Sequence, residues 1–141
     1  MLDEQMALVR YRLDRAQGTL TEAATLLEHG LDAGVVNRIY YACFYAVSAL
    51  LYSEGMHRSK HSGVISLFNQ HWIKPGKLPV EMGDFYQTMF AKRQMGDYND
   101  LVAFEASDLA CWLSTARDFV DRIATLLRDN AVPPAQRPDK Q

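Results

Sequence analysis

Between Val35 and Leu51 the apolar residues Val35, Val36, Ile39, Tyr40, Cys43, Phe44, Val47, Leu50 and Leu51 recur at steps of one, three and four. Wound into a helix, that pattern is apolar over more than half the circumference, wider than the single stripe of a helix lying on a surface. Such a helix has to be enclosed by other elements. The segment from about Ala33 to Ser53 is therefore expected at the centre of a helical bundle, with Glu54-Gly55 closing it.

The rest of the chain supplies the enclosing helices. Leu2, Met6, Val9, Leu13, Ala16, Leu20, Ala23 and Leu27 follow steps of three and four, the mark of a long amphipathic helix. It ends near Glu28-His29-Gly30, where glycine suits a left-handed terminus, and Asp32 can cap the helix that follows. After a polar loop from Met56 to Lys60, a shorter helix from about His61 to Trp72 turns Val64, Ile65, Leu67 and Phe68 inward. Lys74-Pro75-Gly76 breaks it. Pro79-Val80-Glu81 opens a fourth helix whose apolar positions are Phe85, Met89 and Phe90. Gly96 to Phe104 reads as an ordered connection, and Ser107 as the N-cap of a last helix carrying Leu109, Trp112, Leu113, Ala116, Phe119, Val120, Ile123 and Leu127.

No segment alternates with period two, so the fold class is all-α: an antiparallel up-and-down bundle of four to five helices. With 141 residues there is room for one such domain, residues 1–130, followed by a polar, proline-rich tail, residues 131–141, expected to be disordered. A formal charge of −2 offers no overall attraction to polyanions, so contact with nucleic acid needs a local basic patch. Cys43 and Cys111 sit in helical apolar patterns and read as small buried hydrophobes. The acidic start MLDEQMALVR is unlike a signal peptide, and no stretch reads as a membrane span, so the expected location is cytoplasmic.

Three places could carry chemistry. In the central helix Arg38, Tyr41 and Tyr45 fall on one face, a combination able to grip a phosphate or stack on a base. The alternative is packing or a subunit interface, with Arg38 paired to a carboxylate from another helix. The loop from Met56 to Ser62 places His57, Arg58, Lys60 and His61 near a helix N-terminus, either as an anion grip or as a solvated loop with His61 capping. At the end of the fourth helix Arg93, Asp97 and Tyr98 surround Gly96, as a site corner or as an ordinary helix terminus. The histidines His29, His57, His61 and His71 show no metal-ligand spacing, and no glycine-rich phosphate loop occurs. No metal and no cofactor are expected.

The runs Asn37-Arg38-Ile39-Tyr40-Tyr41-Ala42-Cys43-Phe44-Tyr45-Ala46, Lys60-His61-Ser62-Gly63-Val64-Ile65-Ser66-Leu67-Phe68 and Arg93-Gln94-Met95-Gly96-Asp97-Tyr98 resemble, in order and spacing, three signatures of the HEPN family. The resemblance extends from about Met6 to Leu127. It implies a helical bundle forming homodimers with a shared cleft, and a minimal nucleotidyltransferase as partner in a toxin-antitoxin pair. It also implies, for active members, metal-independent cleavage of RNA by an Arg followed four to six residues later by a His. Here Arg93 takes the Arg position but Tyr98 stands where the His is expected, and a phenol is a poor proton shuttle at neutral pH.

Two main readings follow from the resemblance. One is a nucleotide- or RNA-binding dimer in which Arg38, Tyr41, Tyr45, Lys60, His61, Arg93, Asp97 and Tyr98 line the cleft. The other is a ribonuclease toxin with an altered site, in which Arg93 steadies the phosphate and His61 or Tyr98 replaces the missing His. Tyr98 is also a conceivable acceptor of a nucleotide transferred by the partner. A dimerisation module without a ligand is the plainest alternative.

Overall fold

The computed structural model describes residues 2–98 and 102–131. Five α-helices account for nearly all of them: α1 (Asp3–Glu28), α2 (Asp32–Ser53), α3 (His61–Phe68), α4 (Val80–Tyr98) and α5 (Ala106–Ala131), with no strand among the described residues. The structure is the all-α bundle that the helical spacing predicts.

Helix α2 holds the centre, and it packs against each of the other four. Its partnership with α1 is antiparallel: Gln5 donates to the Tyr52 carbonyl (2.6 Å), Arg15 to the Tyr45 hydroxyl (3.1 Å), and Arg38 pairs with Glu22 (3.2 Å). Gly30 makes the reversal between them with φ of 71°. Gly55 and Gly76 do the same after α2 and α3, at 71° and 80°, a conformation costly for any residue with a Cβ. From α2 the fully buried Val35, Val36, Ile39, Val47, Leu50 and Leu51 enter the core. Ala16, Leu20 and Ala23 meet them from α1, and Leu109, Ala116, Val120 and Ile123 from α5. α2 is long and apolar enough in composition to cross a membrane, but 67% of its most apolar window is buried by the other helices, as a core helix requires.

The structure departs from the sequence expectations at several boundaries. Asp32 is the first residue of α2 rather than its cap: Leu31 holds the N-cap position, its carbonyl accepting from Gly34 and Val35, and no side chain caps the end. The helix after the basic loop changes character at Asn69. Asn69–Ile73 is a π-helical turn, closed by the Lys74 N–H on the Asn69 carbonyl (2.8 Å). α4 lies against this turn at Gly83, where a Cβ would sit 3.0 Å from Asn69 Oδ1 and 3.2 Å from Ile73 Cγ1. Glycine is needed there for close approach rather than for its backbone freedom.

Gly96 does not end α4. It lacks a positive φ, and the helix continues to Tyr98, held in its last turns by Arg93 and Asp97 one turn apart. The expected connection from Gly96 shrinks accordingly, to 102–105 among the described residues. α5 opens on the Glu105 carbonyl, which accepts from Leu109, so Ser107 lies inside its first turn and is not its N-cap. Cys43 is buried as expected, whereas Cys111 is exposed on α5: the apolar pattern there belongs to Leu109 and Leu113, and Cys111 points between them to the outside. Of the tail expected over residues 131–141, Ala131 closes α5 instead, and 132–141 lie outside the described residues.

Candidate functional site

The first turns of α2, the start of α3 and the last turns of α4 meet at one corner of the bundle. α2 brings Asn37, Arg38, Tyr40, Tyr41 and Phe44 to it, α3 brings His61, and α4 brings Phe90, Arg93 and Asp97. Two of the three sequence segments singled out for chemistry thus share a corner with His61 of the third.

Arg93 is the hub. Its guanidinium lies 5.4 Å from the centre of the Tyr40 ring and 5.2 Å from that of Tyr41, close enough for cation–π attraction to both. Its Nε donates to Asp97 Oδ2 at 3.0 Å, and no described residue accepts from Nη1 or Nη2. Asp97 Oδ2 also accepts from Asn37 Nδ2 (3.4 Å), tying the end of α4 to α2. Arg38 is engaged differently. Its Nε and Nη2 donate to Asn37 Oδ1 (3.0 and 2.7 Å), its Nη1 to Glu22 (3.2 Å), and its plane lies 5.2 Å from the Tyr41 ring centre. Of the two arginines, Arg38 is already satisfied within the protein, whereas the outer nitrogens of Arg93 have no acceptor among the described residues.

His61 forms the second half of the corner. Its ring stacks on Phe44 at 4.6 Å and 13°, and packs beside Tyr40, Tyr41 and Phe90. Its Nδ1 is hydrogen-bonded to the Tyr40 hydroxyl. Burial, reinforced by the Arg93 charge, lowers the His61 pKa and favours neutral imidazole. Tyr40 is fully buried, and that burial pushes its phenol well above the ordinary range, with the Tyr86 hydroxyl and the Arg93 charge pulling the other way. With Tyr40 as the donor to Nδ1, the imidazole proton sits on Nε2. The imidazole is then a neutral donor rather than a free base. Behind it, burial likewise raises the Tyr86 phenol and the Cys43 thiol, so neither is an ionised nucleophile.

The remaining predicted residues are placed as follows. Tyr41 is in the corner under both arginines. Tyr45 is one turn away, with ring centroids 6.0 Å apart, and its hydroxyl accepts from Arg15 of α1. Lys60 precedes α3 as its N-cap residue and is exposed. Tyr98 closes α4, but its side chain lies outside the described residues. Of the alternatives set out for Arg38, the structure shows the pairing with a carboxylate of another helix, Glu22 of α1, with the guanidinium also lying over Tyr41.

Several contributors were missing from the sequence reading. Asn37 could have been found, as an amide beside an arginine in an otherwise apolar helix. Tyr40 looked like packing, and packing does hide its hydroxyl. Glu22, Phe90 and Tyr86 gave no signal, since their parts depend on which helices become neighbours.

The sequence profile of the HEPN domain matches residues 9–126. A Thermotoga maritima protein named "UPF0332 protein" is 43% identical over 128 residues, 91% of this chain and 97% of its own length. Two Methanocaldococcus jannaschii proteins, each named "Putative toxin", are 30% identical over 83% of this chain and 87% of their own, and 28% identical over 78% and 75%. The profile spans the helices that build the corner as well as those that enclose α2, and the chain therefore belongs to the HEPN domain family.

Proposed function

We propose that this protein is the toxin-type member of a two-protein system, a cytoplasmic homodimer that recognises RNA or nucleotide phosphates at the α2–α3–α4 corner and acts with a minimal nucleotidyltransferase. One observation carries the proposal. The Arg93 guanidinium is held from behind by two tyrosine rings and an aspartate, leaving two parallel N–H-bearing nitrogens without a described acceptor. That is the geometry that binds a phosphate in bidentate fashion. Neutral His61, with its proton on Nε2, adds a second donor without adding charge. The names of the Methanocaldococcus relatives support the toxin assignment.

A second reading, a ribonuclease with an altered site, has its own support. His61 sits on the same aromatic platform as Arg93, although the family pattern leads one to expect a His after that arginine. Held neutral, His61 lacks the proton that an imidazolium would give to a leaving oxygen, and its Nδ1 is already engaged by Tyr40, so it is poorly set for either proton transfer. Binding is therefore favoured over cleavage.

Labelled RNA incubated in EDTA with wild type, Arg93→Ala and His61→Ala tests both. Binding without cleavage, weakened about tenfold or more in Arg93→Ala, is the expected result. Cleavage abolished by either substitution replaces the binding reading with the nuclease reading. Absence of both binding and cleavage leaves the dimerisation module. Sedimentation of the wild type checks the dimer, and co-purification with a co-expressed minimal nucleotidyltransferase checks the partner.

A further inference from the structure

Along the seam between α1 and α2 the side chains form a ladder that runs up to the corner. At its far end the His57 ring stacks on Tyr52 at 6.0 Å. Arg12 comes next, its guanidinium 5.7 Å from the Tyr52 ring centre and 5.9 Å from that of Tyr45. Arg15 follows, 5.0 Å from the Tyr45 ring centre and donating to the Tyr45 hydroxyl, with Tyr11 one turn before it and 58% exposed. Tyr45 then meets Tyr41 at 6.0 Å, and Tyr41 lies under Arg93. Aromatic rings and guanidinium groups follow one another from the loop after α2 to the Arg93 corner.

The ladder differs from ordinary surface charge in two ways. Neither Arg12 nor Arg15 pairs with a carboxylate among the described residues, where the ion pairs are Arg38 with Glu22 and Arg93 with Asp97. Arg12 Nε is moreover a buried donor without a hydrogen-bond partner there, the one buried cationic nitrogen so placed. A buried donor left unmet is costly unless something meets it. The rings of Tyr45 and Tyr52 are only half-buried, and from Tyr41 to Tyr52 the ladder runs about 16 Å along α2. At about 3.4 Å per stacked base, that is room for several nucleotides.

We infer that this α1–α2 ladder is a track for a single-stranded nucleic acid, leading it to the Arg93 corner, with Arg12 and Arg15 on successive phosphates and the tyrosine rings offered to bases. The chemistry needed is sequence-independent: cations for the backbone and π-faces for any base. It gives a chain with net charge −2 a local cationic surface. The inference rests on the proposed phosphate-binding role of the corner, which it extends outward.

The test measures binding of a labelled twelve-nucleotide RNA, the same sequence as DNA, and a dinucleotide, to wild type, Arg12→Ala/Arg15→Ala, Tyr45→Phe and Arg93→Ala, with thermal melts and sedimentation of each. The double variant is expected to bind the long strand about tenfold or more weakly, and with a salt slope lower by about 0.7 for each phosphate lost, while binding the dinucleotide like wild type. Tyr45→Phe keeps the ring and should keep most of the affinity; because it removes only the hydroxyl, it also serves where the double variant folds poorly. Arg93→Ala should lose both ligands. Long-strand binding that depends on Arg93 but not on Arg12 and Arg15 overturns the track and leaves the corner intact. The reverse pattern keeps the track and overturns the corner. Loss of the dimer with unchanged RNA affinity in the double variant makes the ladder a subunit interface and overturns the track, and a wild type that binds no nucleic acid overturns both. Equal affinity for DNA means that the strand is read by phosphate and base alone.

Discussion

The two long flanks of α2 are built from different materials. Toward α5 and the inner face of α1 it meets Ala16, Leu20, Leu109, Ala116, Val120 and Ile123, aliphatic groups that can only pack. Toward α3 and the end of α4 it presents tyrosines and Phe44 to His61 and Arg93, groups that pack through their rings and keep a polar edge. The first flank determines whether the chain folds. The second also buries a ring, Tyr40, but its polar groups His61 and Arg93 lie at the edge of the core, where function can reside.

A buried core ring, Phe119, and the corner's Arg93 make the difference between core and site measurable. The Phe119 ring is buried among Phe68, Phe85 and Tyr86. Phe119→Ala should cost about 3–5 kcal/mol in urea unfolding, the largest effect considered, because a cavity in a ring cluster closes poorly. Arg93→Ala gives up cation–π contact with two rings and one ion pair within a helix, and should cost about 1–2 kcal/mol, less than the core variant, yet it should lose most of the RNA affinity. Equal stability losses in the two variants would break the comparison.

The same contrast explains how much could be read from the sequence. Steps of three and four along α1, α2 and α5 report burial directly, because aliphatic side chains have no other use. The helices could be read this way, but several of their boundaries, at Asp32, Asn69, Gly96 and Ser107, could not. The corner obeys a different rule. Tyr40 and Tyr86 count as apolar in any periodicity, and the Tyr40 hydroxyl finds His61 only after α3 has folded back onto α2. Glu22 reaches Arg38 only because α1 and α2 are antiparallel. The segments of the corner stood out through family resemblance; its internal partners required the packing. Gly96 misled because glycine often ends a helix, whereas here Arg93 and Asp97 carry α4 through it.

His61 extends the comparison to pH. Burial and the Arg93 charge keep its folded pKa below the ordinary value, so the unfolded chain takes up a proton more readily than the folded one. The stabilisation is complete above about pH 6.5 and is lost as pH falls through the lowered folded value. The melting temperature of wild type should therefore drop more steeply than that of His61→Gln between neutral pH and pH 5, while a core variant such as Phe119→Ala should keep the wild-type slope. Parallel curves for wild type and His61→Gln would show that the imidazole is not held neutral by its surroundings.

The smallest expected effect is the most discriminating. Glu22→Gln removes the charge of a half-exposed pair with Arg38, side chains 50% and 25% exposed, so stability should change by less than about 1 kcal/mol. Arg38 would keep both bonds to Asn37 and its place over Tyr41, so the corner should hold its shape. If the corner and the ladder attract phosphate, deleting a carboxylate beside them should tighten RNA binding a few-fold at low salt, and the gain should fade at high salt as screening grows. If the corner is packing alone, Glu22→Gln is silent in every assay. A change in affinity with no change in stability would mean that the two flanks of α2 do different work, since no loss of core packing could produce it.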